Sequence, residues 1–292
     1  MNPLISPEEL IAEEGSVIVV DVRHDLTDPT AGLRAYAQGH LPNAAFLSVD
    51  ADLSGEASRG NAGRHPLPQP EDFAARLREL GATEDTLLIA YDSSGGMYAA
   101  RFWWLCRWIG HLRVGVLNGG IQAWLAAGGP LQTEEYKPPQ KEKSDDSEPL
   151  AVHPSACPRW NLEMVETWVK TGSLQEIATL IDARAPERYR GEVEPFDPVA
   201  GHIPGALNRP ATQNLGPDGR FKAASLLREE FLALLGEQDP SAVVHSCGSG
   251  ITACHNLLAM EAAGLVGSAL YPGSWSEWCG DAARPIGTGP TP

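Results

Sequence analysis

The reactive chemistry that the sequence can be read for centres on one cysteine. Cys247 stands in Ser246-Cys-Gly-Ser-Gly-Ile-Thr-Ala253, between an apolar β-branched run and a helical pattern that continues through Met260 and stops at Gly264. Gly248 and Gly250 let successive backbone N–H groups turn inward as a nest, with the thiol at its floor beside a helix N-terminus. Both features favour thiolate over thiol, and thiolate is the nucleophile. A lone cysteine after a strand is usually a small buried hydrophobe; the Gly-Ser-Gly loop is what sets Cys247 apart. Phosphatase chemistry pairs a cysteine with an arginine six positions later to hold phosphate bidentately, and Ala253 stands there instead. Cysteine-hydrolase chemistry wants an adjacent histidine base. His245 should face away from the thiol and His255 lies inside the following helix, although a histidine from elsewhere in the chain stays open. Sulfur transfer needs a thiolate, amides to hold a persulfide anion, and little else.

The elements that must position this loop are small and alternate. Val17–Val20, Leu87–Ala90, Val114–Leu117, Thr179–Asp182 and Ala242–His245 read as buried strands. Pro70–Leu80, Tyr98–Ile109, Gly120–Ala127, Leu162–Lys170 and Ala224–Leu235 read as helices. Apolar strands alternating with helices imply an α/β fold whose parallel sheet is covered on both faces, with ligands at the carboxyl ends of its strands.

The chain also resembles itself. Val17-Ile-Val-Val-Asp-Val-Arg23 recurs as Thr179-Leu-Ile-Asp-Ala-Arg184, and Gly39-His-Leu-Pro-Asn-Ala44 recurs as Gly201-His-Ile-Pro-Gly-Ala206. Leu87 to Gly96 lines up with Ala242 to Gly250 at a shift near 154 residues, which also superposes Trp124 on Trp278. The expectation is a duplicated domain: residues 1–133, a proline- and charge-rich linker at 134–158, and residues 159–292. At that shift Cys247 is matched by Ser93. A hydroxyl cannot carry a persulfide, so only the second half is expected to react, with the first supporting it. Asp21/Arg23, Asp182/Arg184, His40 and His202 occur in both copies and read as architectural. Trp103, Trp104, Trp108, Trp124 and Trp278 read as core or domain-interface residues, Cys254 as core, and Cys279 as a candidate exposed thiol from its place near the C-terminus.

Composition bounds the possibilities. At roughly 150 residues per domain, 292 residues suit two domains. A hydrophobic share of 42% with 21% charged residues excludes a disordered or fibrous chain. A net charge of −16 argues against nucleic-acid partners, and an anionic substrate would need a local positive trap. Five scattered cysteines with no C-x-x-C spacing indicate neither a disulfide scaffold nor a zinc knuckle. Nothing in the sequence demands a metal or an organic cofactor. No signal peptide and no apolar run near the ~18 residues of a membrane span are read, so a reducing cytoplasm is the expected setting.

The loop Cys247-Gly-Ser-Gly-Ile-Thr-Ala253 closely resembles the active-site loop of the 3-mercaptopyruvate sulfurtransferase branch of the tandem rhodanese-type sulfurtransferases. Asp182-Ala-Arg184, Arg188-Tyr-Arg-Gly191, Gly201-His-Ile-Pro-Gly-Ala206, Tyr271-Pro-Gly-Ser-Trp-Ser-Glu-Trp278, Arg101-Phe-Trp-Trp104 and Val116-Leu-Asn-Gly-Gly120 extend the resemblance over nearly the whole chain. Thiosulfate-preferring rhodaneses carry basic residues where this chain has Gly248 and Ser249.

The resemblance implies two tandem rhodanese-like domains and a ping-pong reaction. Cys247 would take sulfur from 3-mercaptopyruvate as a persulfide, release pyruvate, and pass the sulfur to cyanide or to a thiol such as thioredoxin or a small thiol. Amides of Gly248, Gly250, Ile251 and Thr252 would hold the persulfide charge, and Arg188 would grip the donor's carboxylate. Ser249 would form a polar relay with His65 and Asp50, and Tyr98 would line the cleft from the opposite domain. One departure stands out: the branch usually places a second arginine in a Glu-Pro-Arg stretch, and here Glu194-Pro195 is followed by Phe196. Arg190 and Arg209 are the candidates to replace it. A thiosulfate-preferring enzyme and a persulfide carrier that turns over free donors negligibly are the alternatives.

Overall fold

The computed structural model describes residues 2–13, 15–56, 62–139, 148–155, 157–172 and 177–291. The chain divides into two compact units. The first comprises Met1–Gly55, Pro68–Ala156 and Pro217–Phe221, and the second Glu56–Leu67, Cys157–Gly216 and Lys222–Pro292. The division is less simple than the expected 1–133, 134–158 and 159–292. Glu56 and residues 62–67 of the first half belong to the second unit, and they include Arg64 and His65.

In the first unit the order is β1 (Leu4–Ile5), α1 (Pro7–Ala12), β2 (Val17–Asp21), α2 (Ala31–Gln38), β3 (Ala44–Phe46), α3 (Pro70–Glu79), β4 (Leu87–Tyr91), α4 (Ala99–Trp108), β5 (Val114–Leu117) and α5 (Gly120–Ala126). The strands form one parallel sheet in the order β1-β5-β4-β2-β3. Its central strands are continuous apolar runs, as burial on both faces demands. Val20, Leu88, Ile89 and Ala90 are all fully buried. The expected linker is in part a strap on this unit: Leu150 is buried, and the N–H of His153 donates to the carbonyl of Ile109 at 2.8 Å. Residues 140–147 of that linker lie outside the described residues.

The second unit runs α6 (Leu162–Thr171), β6 (Thr179–Asp182), α7 (Pro186–Tyr189), β7 (Leu207–Asn208), α8 (Ala224–Leu235), β8 (Val243–Ser246), α9 (Ala253–Ala262), β9 (Ala269–Leu270) and α10 (Ser274–Trp278). Its sheet is again parallel, in the order β7-β6-β8-β9. Trp168, Trp275 and Trp278 fill its core beside Leu180 and Val244. The short edge strands β1, β3, β7 and β9 carry too few residues to show a period and were not legible in sequence.

The duplication holds in detail. Arg23 donates to both oxygens of Asp21 and to the carbonyl of Gly39 at 2.8 Å, and Arg184 repeats this with Asp182 and with Gly201 at 2.6 Å. His40 stacks on Tyr36, and His202 stacks on Tyr189, each with ring centroids 3.8 Å apart. These pairs tie a strand end to the following loop, as their presence in both copies suggests.

Candidate functional site

Cys247 follows the last residue of β8, and the loop 247–252 leads directly into α9. The N–H of Gly250 donates to Cys247 Sγ at 3.1 Å, closing the loop over its own thiol. Gly250 is the residue that makes this possible. Its φ is +78°, and a Cβ there would fall 2.2 Å from the carbonyl oxygen of Pro272. The start of α10 holds the loop from the other side. The N–H of Cys247 donates to Ser274 Oγ at 3.0 Å, while Trp275 N–H donates to Cys247 O and Ser276 N–H to Gly248 O. Cys247 is 2% exposed.

The first unit shows what such a loop can hold. Asp21 pairs with Tyr91 and Asp182 pairs with Ser246, so the next residues, Asp92 and Cys247, are equivalent. The sequence match to Ser93 is therefore one residue off. The first loop is one residue longer, with left-handed conformations at both Gly95 and Gly96, so the strands align at a shift of 155 and the tryptophans at 154. The Asp92 carboxylate accepts N–H bonds from Ser94, Gly96, Tyr98 and Ala99 at 2.8 to 3.0 Å. One copy of the cradle thus holds an internal anion, and the other presents a thiol.

Ser249 and His65 are brought together: Ser249 Oγ and His65 Nδ1 share a hydrogen bond of 2.7 Å, both side chains being buried. Asp50 and Tyr98 belong to the first unit. There Asp50 Oδ1 lies 4.0 Å from His24 Nε2, and Tyr98 packs edge-on to the same His24 ring at 5.1 Å. Burial pushes the Tyr98 hydroxyl up to about 12.

Above Gly248 stand two guanidinium groups. A methyl added at Gly248 would lie 3.1 Å from Arg64 Nη2 and 3.4 Å from Arg188 Nη2. Arg188 is held by Glu194, with Nη2 to Oε1 at 2.6 Å and Nε to Oε2 at 3.2 Å. Arg64 Nη1 is bound to Asp197 Oδ1, and Asp197 Oδ2 lies 3.7 Å from Arg188 Nη2. Burial raises the Asp197 carboxyl above its usual range, against the pull of its hydrogen bond to Arg64. The Phe196 ring lies against both cations, 5.5 Å from Arg64 and 5.1 Å from Arg188. Neither expected substitute for the missing arginine is placed here. Arg190 pairs with Glu192 on the surface, and Arg209 is engaged by Glu230 and stacked on Phe231.

The histidines flanking the loop are otherwise occupied. His245 Nε2 lies 3.1 Å from Met260 Sδ on α9, and burial, with the Arg209 charge, lowers its pKa to about 3. His255 Nδ1 meets Asn214 Nδ2 at 3.0 Å. Cys254 is core, donating to Gly250 O at 3.4 Å. Cys279 is buried, not exposed; burial pushes its thiol up to about 11, because Trp275 and Trp278 carry α10 into the core. Sequence reading missed Arg64, Asp197 and Ser274. Arg64 carried a signal, its place beside His65 in a matched stretch, but nothing local showed where its side chain would go. Among the described residues, no group of three or more His, Cys, Asp or Glu side chains is placed to hold a metal ion. No helix among them is long and apolar enough to cross a membrane.

Comparison with known proteins identifies the family. The rhodanese-like domain matches twice, at residues 6–127 and 163–281. A Pseudomonas aeruginosa protein named as a probable 3-mercaptopyruvate sulfurtransferase is 42% identical over 98% of both chains. The thiosulfate sulfurtransferase of Bos taurus is 33% identical over 84% of this chain and 79% of its own. Among solved structures, the 3-mercaptopyruvate sulfurtransferase SseA from Escherichia coli superposes with a TM-score of 0.76 at 29% identity, covering 94% of this chain and 99% of that one. With two matched copies, two parallel sheets and a single cysteine loop at one of the two equivalent strand ends, the chain belongs to the rhodanese-like family.

Proposed function

We propose that the protein is a sulfurtransferase that moves sulfane sulfur from 3-mercaptopyruvate to a thiol or to cyanide through a persulfide on Cys247. The observation that carries this reading is the pair of equivalent loops. Where the first unit fills its amide cradle with the Asp92 carboxylate, the second puts a thiol, and the cradle is suited to an anion formed there during reaction.

The reaction balances with few groups. Cys247 thiolate attacks the donor sulfur, the donor's C–S bond breaks, and its electron pair leaves on carbon as the enolate of pyruvate. The proton of the donor's mercapto group moves to that carbon, leaving pyruvate and the Cys247 persulfide anion. Ser249 Oγ, with His65 behind it, is the group that relays the proton. Cyanide or a thiol such as thioredoxin then takes the terminal sulfur and restores the thiolate. Arg188 binds the donor carboxylate, since a planar fork suits a planar anion. Gly248, Gly250, Ile251 and Thr252 supply amides or room for the persulfide. Gly248 and Ser249 at the positions that carry basic residues in thiosulfate-preferring enzymes favour mercaptopyruvate. Five free cysteines among the described residues suit a reducing, cytoplasmic setting.

The test compares 3-mercaptopyruvate and thiosulfate as donors to cyanide, in the wild type and in Cys247→Ser. Higher kcat/KM with mercaptopyruvate, a gain of one sulfur in mass on Cys247, and no turnover by the folded variant are expected. Turnover retained by Cys247→Ser would overturn the reading. Higher kcat/KM with thiosulfate would reassign the donor, and a labelled cysteine with negligible turnover would make the protein a persulfide carrier.

A further inference from the structure

The donor carboxylate site is incomplete if Arg188 acts alone, because Phe196 stands where a second arginine was expected. We infer that Arg64 supplies that second guanidinium, so that Arg64 and Arg188 together grip the donor's carboxylate above Gly248. The inference rests on the reading of Cys247 and Arg188 given above.

Four observations support it. The Nη2 atoms of both arginines face the same point over the cysteine loop, within 3.4 Å of where a Gly248 side chain would begin, and glycine leaves that space for a ligand. Arg64 is tied to the loop's own scaffold, because its backbone N–H donates to Ser276 Oγ at 3.1 Å while Ser276 N–H donates to Gly248 O at 2.8 Å. Its Nη1 is committed to Asp197, which turns the other end of the fork toward Gly248. Phe196 has not vacated the site but braces it, its ring lying against both guanidinium groups. Asp197 and Glu194 offset the two cations before the donor arrives and hold both forks at fixed angles. A carboxylate entering between the forks accepts N–H bonds from each, the bidentate geometry that arginine provides and lysine does not. The second positive charge thus comes from a segment that is far away in sequence and packed in the same unit.

The test uses the full-length protein and pyruvate, the carboxylate product, as a probe that needs no turnover. Pyruvate binding is followed by calorimetry and as inhibition of donor consumption, for the wild type, Arg64→Leu, Arg64→Lys and the double variant Arg64→Leu/Phe196→Arg. Losing one charge-assisted contact is expected to raise the pyruvate Kd and the mercaptopyruvate KM roughly 10- to 100-fold in Arg64→Leu. The rate at which a preloaded persulfide is discharged to cyanide should stay within about threefold of wild type, because that step does not use the donor carboxylate. Arg64→Lys should recover only part of the loss, and Phe196→Arg in the Leu background should restore binding by returning the arginine to its usual segment. A structural role for Arg64 alone would not be rescued by Phe196→Arg and would slow discharge as well; that result, or unchanged pyruvate affinity in Arg64→Leu, overturns the inference. Pyruvate binding that depends on Arg64 without mercaptopyruvate turnover in the wild type would uphold the carboxylate site and reject the donor assignment.

Discussion

Cys247 shows how far a few neighbouring residues can define the surroundings of a thiol. Its loop glycines and following helix are all within a handful of positions, so the nest was readable from sequence. The partner of the loop's Ser249 hydroxyl was readable only by resemblance, because it is a histidine 184 positions away. At this scale the relay is testable. Ser249→Ala and His65→Asn should each lower kcat for mercaptopyruvate by about 10²-fold or more while leaving persulfide discharge to cyanide nearly unchanged, since general acid–base help of this kind contributes 10² to 10⁴. Single-turnover measurement of pyruvate release checks this, and equal slowing of both half-reactions would show that the pair shapes the loop instead. The identity of the first-unit counterpart was misread by one residue. Two consecutive glycines there allow an extra loop residue, and only the pairing of Asp21 with Tyr91 and Asp182 with Ser246 reveals that Asp92 is the equivalent.

The loop as an element depends on its two glycines for different reasons. Gly250 needs a left-handed φ and has the Pro272 carbonyl where a side chain would go, whereas Gly248 faces only the ends of two arginine side chains. A left-handed residue with a Cβ costs about 1–2 kcal/mol before any clash. Gly250→Ala should therefore lower Tm by several degrees and abolish turnover. Gly248→Ala should keep Tm within a degree or two and instead raise the donor KM, because flexible guanidinium ends can move aside. Thermal melts alongside donor titrations distinguish the two, and matching Tm losses would contradict the assignment. The longer helices and central strands, such as α4, α8, β2 and β4, fell within a residue or two of their expected bounds because their patterns are strong. Two-residue strands such as β7 and β9 exist only because a neighbouring strand pairs with them.

At the scale of the whole molecule, a buried histidine links stability to pH. His245 is fully buried with its pKa lowered to about 3, against about 6.5 for a free histidine. Between those values the unfolded chain binds a proton that the folded chain refuses, so stability is fully present above pH 6.5 and is lost as pH falls toward 3. From pH 7 to pH 5 this amounts to about 2 kcal/mol for this residue. Tm should fall over that interval, and the fall should be smaller in His245→Gln; an identical pH dependence in both proteins would assign acid sensitivity to other groups. With a net charge of −16, anion binding needs a local cluster of cations, the part proposed for the guanidinium groups of Arg64 and Arg188 over Gly248.

By itself, the sequence determined the α/β class, the duplication, the cysteine loop between a strand and a helix, and the architectural Asp-x-Arg and Gly-His pairs. Each is governed by interactions within a turn or a strand, or is visible as repetition along the chain. Tertiary structure alone decided that residues 62–67 pack with the second unit, that Asp92 rather than Ser93 faces the first cradle, and that Cys279 is buried. It also decided that Arg64 and not Arg190 or Arg209 stands over Gly248. The physical reason is the same in each case. Hydrogen-bond register, burial and the direction of a long charged side chain are set by contacts between segments remote in sequence, and no local pattern of residue types encodes them.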